Sequence, residues 1–281
     1  MSTDGVAAYY DRLGRWNRFA RAFGYGGGQS SLTVHRYLAD PRVDGRATPT
    51  RLHDVLLDAL PPLASPRVLD AGCGLGGTMV ELAARLGASC TGLTLSQTQA
   101  ETANAAFSRL GIADRVRALV RSYDNPPEGP YDLIVAIESL AHSPDPARSV
   151  AALASVLAPG GVLAVVDDMP EPAALGTPDF ATFVEGWQSA NLWSAAQYAD
   201  GFERHGLVLL RSLDLSSQCR PRTMRRAAQL MWLNRLVVRV VPSLRAVMDS
   251  HMGGLALERL TRAGLVRYRL LIAGRPGLQV S

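Results

Sequence analysis

A chain of 281 residues with 47% hydrophobic content suits one α/β domain with insertions and can bury a sizeable core. Its formal net charge is +4, and all 29 basic residues are Arg, which excludes chemistry that depends on a lysine amine. Cys73, Cys90 and Cys219 lie far apart without metal-ligand spacing, so they read as reduced thiols in a cytoplasmic protein, with no metal site among them.

The first residues show no basic start before an apolar run, so no signal peptide is expected. No uncharged stretch approaches the roughly 18 residues that a membrane-spanning helix needs. Residues 1–60 are expected to form a helical cap, carrying Tyr9, Tyr10, Trp16, Phe19, Phe23 and Tyr25 before a GYGGG hinge. Within it, TPTRLHDVLLDAL opens on a Thr cap and is stopped by Pro61 and Pro62.

Residues 61–281 form the main domain. Short apolar runs place strands near 67–71, 89–94, 115–121, 131–137, 161–167, 206–213 and 266–274, with helices at 78–87, 96–110 and 146–157. Strands alternating with helices in this way define a doubly wound α/β sheet. Two segments interrupt it. Residues 170–202 are rich in aromatics, and residues 216–262 are helical and Arg-rich, as expected of lids. Of the 18 aromatic residues, seven lie in 9–37 and six in 180–202, so rings flank the sheet core and suit an apolar or cationic ligand. Tyr10, Tyr25, Phe183, Trp187 and Trp193 are the candidates to line that wall. Residues 201–281 hold 14 Arg against four acids, which suits an anionic partner.

The stretch RVLDAGCGLGG at 67–77 runs strand, glycine turn, helix. Such a turn leaves backbone N–H groups free at the strand ends, where open α/β sheets bind ligands. Gly72, Gly74 and Gly77 fit the dinucleotide spacing G-x-G-x-x-G. A dinucleotide fold usually carries a ribose-binding acid about twenty residues on. Here the second strand ends instead in Thr94, and the acid, Asp70, precedes the turn, where it could pair a cationic amine.

VLDAGCGLGG resembles the first motif of class I S-adenosylmethionine-dependent methyltransferases, whose acid-glycine loop cradles the amino-acid end of that cofactor. The resemblance covers about residues 5–275 and implies a Rossmann-like seven-stranded sheet. It assigns Asp70, Gly72 and Gly74 to the cofactor. GLTLSQTQ (92–99) is similar to the tocopherol, sterol and geranyl diphosphate methyltransferase neighbourhood. That likeness implies Thr94 and Gln99 at the nucleoside, with Leu95 against its ring. Ser122, Tyr123 and Asp124 match the adenine position. In YDLIVAIESLAHSPDP (131–146), Glu138 and His142 match the place where related enzymes take a proton from the substrate. The run GYGGG replaces the Cys-containing run of cyclopropane synthases, which argues against ring formation on acyl chains.

The function expected is methylation of a small, largely apolar metabolite, foremost C-methylation of an isoprenoid in natural-product biosynthesis. Arg220 and Arg222 would hold a diphosphate, and Mg²⁺ would be needed only for such a substrate. The alternative is O- or N-methylation of a sugar, phenol or alkaloid, with His142 as base. Nucleic acid is not an expected partner, because the C-terminal Arg residues alternate with Leu, Val and Met. Peripheral contact with a membrane surface and a homo-oligomer both remain open.

Overall fold

In the structure, a computed structural model describing residues 32–189, 191–219 and 245–276, the apolar run Arg67–Ala71 is a strand (β3) covered on both faces. Val68, Leu69 and Ala71 have no exposed surface because β4 (Ser89–Thr94) and β6 (Tyr131–Ile137) flank β3 in parallel, and helices close both sides. With β5 (Val116–Val120), β7 (Leu157–Pro170), β8 (Val208–Asp214) and β9 (Val266–Gly274), they form a seven-stranded sheet of order β5-β4-β3-β6-β7-β9-β8. The first five strands are parallel, whereas β9 runs antiparallel to both β7 and β8.

Alternation along each strand sorts the core into two layers. Val68, Leu133, Val135 and Val166 face one side, packed under α1 (Arg51–Ala59), α2 (Gly77–Leu86) and α3 (Gln97–Arg109). Leu69, Ala71, Ile134 and Val165 face the other, under α4 (Pro146–Ser155) and α6 (Ala195–Arg204). A third cluster joins α5 (Pro178–Trp187) to α7 (Arg245–Arg262) through Phe183, Ala256, Leu257 and Leu260.

Several expectations need correction. Residues 38–48 hold no α-helix, only a single 3₁₀ turn at Pro41–Val43. Leu38–Asp40 (β1) and Arg46–Thr48 (β2) form an antiparallel hairpin, because Asp44 and Gly45 take the left-handed φ values of 54° and 67° that close a turn. Thr50 precedes α1 but makes no capping hydrogen bond from its side chain. Asp54 in that first turn instead pairs with Arg42 and, at 2.7 Å, with Arg85. The strand expected at 161–167 extends over Leu157–Pro170, since β9 pairs with it from Val162 to Pro170. Tyr10, Tyr25, Arg220 and Arg222, with the GYGGG run and most of the Arg-rich segment, lie outside the described residues. No helix among the described residues is long and apolar enough to cross a membrane.

The two expected insertions meet. Helices α5 and α7 cross closely at Gly186 and Gly253, and the Trp187 indole N–H donates to the Ser250 carbonyl at 3.0 Å. A Cβ on Gly186 would fall on the Asp249 carbonyl. Gly186→Ala is therefore expected to lower the urea midpoint, at a cost of about 1–3 kcal/mol for overpacking. An unchanged midpoint would show that the crossing has room.

Candidate active site

The glycine turn follows β3 and is shaped by its neighbours. Gly72 has φ +113°, and a Cβ there would collide with Ser139, which begins the loop after β6. Gly76 has φ +84° and lies against the Phe107 ring. The amides of Gly72 and Cys73 donate to the Leu93 carbonyl at 3.1 and 2.8 Å, tying the turn to the end of β4. Residues 32–37 cross over the turn as a strap. A Cβ on Gly74 would stand 3.0 Å from Val34, and one on Gly77 would stand 2.7 Å from the Thr33 hydroxyl. Glycine is required at these points because backbone passes over backbone.

Asp70 is 3% exposed at the carboxyl end of β3, and its carboxylate receives no hydrogen bond among the described residues. Burial alone pushes its pKa up to about 7. Such a group has an unmet demand for a cationic partner. At the end of β4, the Thr94 hydroxyl accepts from the Ser96 amide at 3.1 Å and donates to Gln99 Oε1 at 2.7 Å. Its one donor is thus spent on aiming Gln99, which turns the Gln99 amide nitrogen away from Thr94. Ser96 caps α3 through the Gln99 amide, as its position suggests, and Leu95 is half-buried beside it.

In the turn after β5, the Ser122 hydroxyl accepts from the Asp124 amide at 3.1 Å. Asp124 accepts in turn from Ser149 at 2.5 Å. Tyr123 donates to the Ser139 carbonyl at 3.3 Å, and its phenol is held protonated by burial. These bonds brace the loop against the Gly72–Ser139 contact.

Glu138 follows β6 directly in a left-handed conformation, φ +50°, unusual for a residue with a Cβ. Its Oε1 accepts two hydrogen bonds, from the Arg36 amide at 2.8 Å and the Tyr268 hydroxyl at 2.7 Å. Oε2 has no hydrogen-bond partner among the described residues. The Arg36 guanidinium lies 4.7 Å from the centre of the Tyr268 ring and pairs with Asp168 at 2.9 Å. Burial opposes that guanidinium's charge, but Asp168, Cys219 and Glu138 outweigh it and hold the group charged. Asp168 is raised to about 6 by burial despite Arg36, and its Oδ1 has no partner among the described residues. Asp167, on the opposite face, is raised further by burial and accepts from the Ala141 amide at 2.8 Å.

His142 closes a single 3₁₀ turn, Leu140–His142. Burial lowers its pKa to about 4, against the opposing pull of the Gln188 and Trp187 backbone and the Glu138 charge. At neutral pH it is an uncharged imidazole.

The structure therefore gathers Asp70, Gly72, Gly74, Thr94, Gln99, Tyr123, Glu138 and His142 around one end of the sheet. The aromatic candidates behave differently. Phe183 is 1% exposed inside the α5–α7 cluster, and Trp187 packs edge-on against it at 5.5 Å. Trp193 stacks edge-on with Tyr198 at 5.3 Å, over Gly201 of α6. Their contacts are with helices. Sequence reasoning missed Arg36, Asp168 and Tyr268, though two adjacent acids at the end of the apolar run GVLAVVDDMP were a visible signal.

Residues 45–212 match the family described as the methyltransferase domain, and the chain belongs to that family. It is 32% identical over 231 residues to methyltransferase GfsG of Streptomyces halstedii, covering 77% of each. It is 33% identical to the 27-O-demethylrifamycin SV methyltransferase of Amycolatopsis mediterranei, over 66% of this chain and 70% of that one. Among solved structures, geranyl diphosphate methyltransferase in complex with its diphosphate and sinefungin shares 27% identity at a TM-score of 0.64, covering 80% of this chain and 78% of the other. The [4+2]-cyclase SpnF shares the fold at 23% identity and a TM-score of 0.73, over 98% and 97% of the chains. The sheet order and these likenesses define a class I fold, and the protein is an S-adenosylmethionine-dependent methyltransferase.

Proposed function

We propose that this enzyme transfers a methyl group to carbon on a small, largely apolar acceptor, foremost an isoprenoid. The observation that carries the reading is Glu138, a carboxylate fixed through one oxygen and without a partner on the other among the described residues, just past a strand that borders the glycine turn. The likeness to geranyl diphosphate methyltransferase supports the same substrate class.

The residues present fit the cofactor. Gly72 and Gly74 hold the turn in left-handed conformations that other residues rarely adopt, and the buried Asp70 carboxylate, without a hydrogen-bond partner among the described residues, answers a cationic amine. In this reading Asp70 and the glycine turn hold the amino-acid end. Gln99, aimed by Thr94, holds ribose hydroxyls, and Leu95 with Ser122, Tyr123 and Asp124 surrounds the base. When bound, S-adenosylmethionine supplies an electrophilic methyl group. Methyl transfer to an alkene leaves positive charge and a surplus proton on the acceptor. Glu138 stabilises that charge and takes the proton in a site closed to water. Arg220 and Arg222 are assigned to a diphosphate on the acceptor, and Mg²⁺ to that group alone.

A second reading, O-methylation, rests on His142. Its depressed pKa leaves a neutral imidazole able to accept a hydroxyl proton, and the rifamycin relative methylates an oxygen by name. Labelled-methyl assays with geranyl diphosphate and with phenolic acceptors separate the two. Glu138→Gln is expected to lower kcat by about 10²–10⁴ on the prenyl acceptor and leave cofactor affinity near wild type. If His142→Ala is the damaging change and Glu138→Gln the mild one, O-methylation replaces the reading.

Asp70 sets a pH dependence. Its pKa of about 7 without ligand should fall when an ammonium binds, so binding releases a proton. Cofactor affinity should therefore weaken as pH drops below 7 and level off above it. Calorimetry near pH 6 in two buffers of different ionisation enthalpy should detect the released proton, and Asp70→Asn should abolish it. Equal proton release in the variant would remove Asp70 from the cofactor site. Asp70→Ala should cost about 1.5–3 kcal/mol of binding, as for a lost charged hydrogen bond.

A further inference from the structure

We propose that Tyr268 is a positioning residue: with the backbone N–H of Arg36 it clamps Oε1 of Glu138, leaving Oε2 as the oxygen available to the acceptor. The inference deepens the reading of Glu138 as the acceptor-side carboxylate.

The geometry is built from three separate parts of the chain. Tyr268 stands directly opposite Asp168 in the antiparallel β7–β9 pair, so both side chains leave the same face of the sheet. Its own backbone is held on the far side, where the Leu215 amide donates to its carbonyl at 2.8 Å and its amide donates to Ser216 Oγ at 3.0 Å. The ring has no exposed surface, and the Arg36 guanidinium, anchored on Asp168, covers it. The phenol is thus fixed in position before it reaches Glu138. The Arg36 amide comes from the strap, and the same residue supplies both the second hydrogen bond and the lid over the ring.

Two donors on one oxygen favour the charged carboxylate and fix its plane. The charges around Glu138 pull in both directions. Arg36 from the strap faces Glu138 with a guanidinium, and Asp167 and Asp168 from β7 are its acidic neighbours. His142, neutral beside it, and Cys219, whose thiol is raised by burial, add no positive charge. The Tyr268 hydroxyl and the Arg36 amide are the two donors on Oε1. Burial keeps that phenol protonated and able to donate.

The test uses the full chain with carbon-13 at the Glu side-chain carboxyl, saturated with S-adenosylhomocysteine. The Glu138 resonance is assigned by its absence in Glu138→Gln, and its titration is followed by NMR. Tyr268→Phe keeps the ring under Arg36 and removes only the hydroxyl. Loss of a hydrogen bond to a charged group should raise the Glu138 titration midpoint by about one to two pH units. S-adenosylmethionine affinity, by calorimetry, should stay within about twofold of wild type, because the Tyr268 hydroxyl bonds to Glu138, which is not among the residues assigned to the cofactor. Turnover on geranyl diphosphate should lose activity at the acid side of its pH profile, and the loss should shrink as pH rises.

A Glu138 midpoint that does not move in folded Tyr268→Phe overturns the clamp. A general loss of cofactor affinity and thermal stability without a midpoint change also overturns it and leaves Tyr268 as packing. Whether Glu138 serves methyl transfer is read separately, from turnover of Glu138→Gln, so clamp and reading fail independently.

Discussion

The half-buried guanidinium of Arg36 is the contact on which the site depends. Glu138, Asp167 and Asp168 crowd one end of the sheet, and each is denied most of the water that would stabilise its charge. A cluster of this kind is costly unless a countercharge is held among its members. Arg36 meets Asp168 with its side chain and Glu138 with its backbone, and it shields the Tyr268 ring. It therefore joins the strap to β6, β7 and β9 at one point. The strap also passes over Gly74 and Gly77, so the glycine turn and the Glu138 carboxylate share a boundary.

The crowding of acidic side chains has a chemical meaning of its own. Burial raises Asp167 and Asp168 above the usual carboxylate range, and Asp70 stands apart with no hydrogen-bond partner among the described residues. A cationic ligand is what such a field accepts. S-adenosylmethionine carries two positive groups, a sulfonium and an ammonium, which accords with a methyltransferase whose basic residues are concentrated elsewhere in the chain.

The sheet was largely readable from the chain, because each parallel strand is a short apolar run and each turn is marked by Gly or Pro. The glycine turn was readable for the same reason: no other residue tolerates those φ values beside Ser139 and Phe107. The hairpin at 38–48 was missed although Asp44–Gly45 is a turn pair, because each of its strands is only three residues long and shows no period. The clamp was not readable. Glu138 meets partners 102 and 130 residues away, and nothing in VRYRLLI separates Tyr268 from an ordinary core aromatic. The aromatics at Phe183, Trp187 and Trp193 were recognisable as burial-prone, but periodicity does not say whether a ring will meet a ligand or another helix. Strand direction was also hidden, since a buried apolar run reads the same whether it is parallel or antiparallel.

That reversed direction of β9 separates the chain's exit from its chemistry. The strand enters beside Pro170 and Asp168 and leaves at Gly274, opposite Val162 and Val208. Arg275 consequently sits at the pole of the sheet remote from Glu138. A surface tether or a reporter dye attached there would leave the strap and the glycine turn facing open solution. Attachment near residue 32 would instead load the segment that carries Arg36.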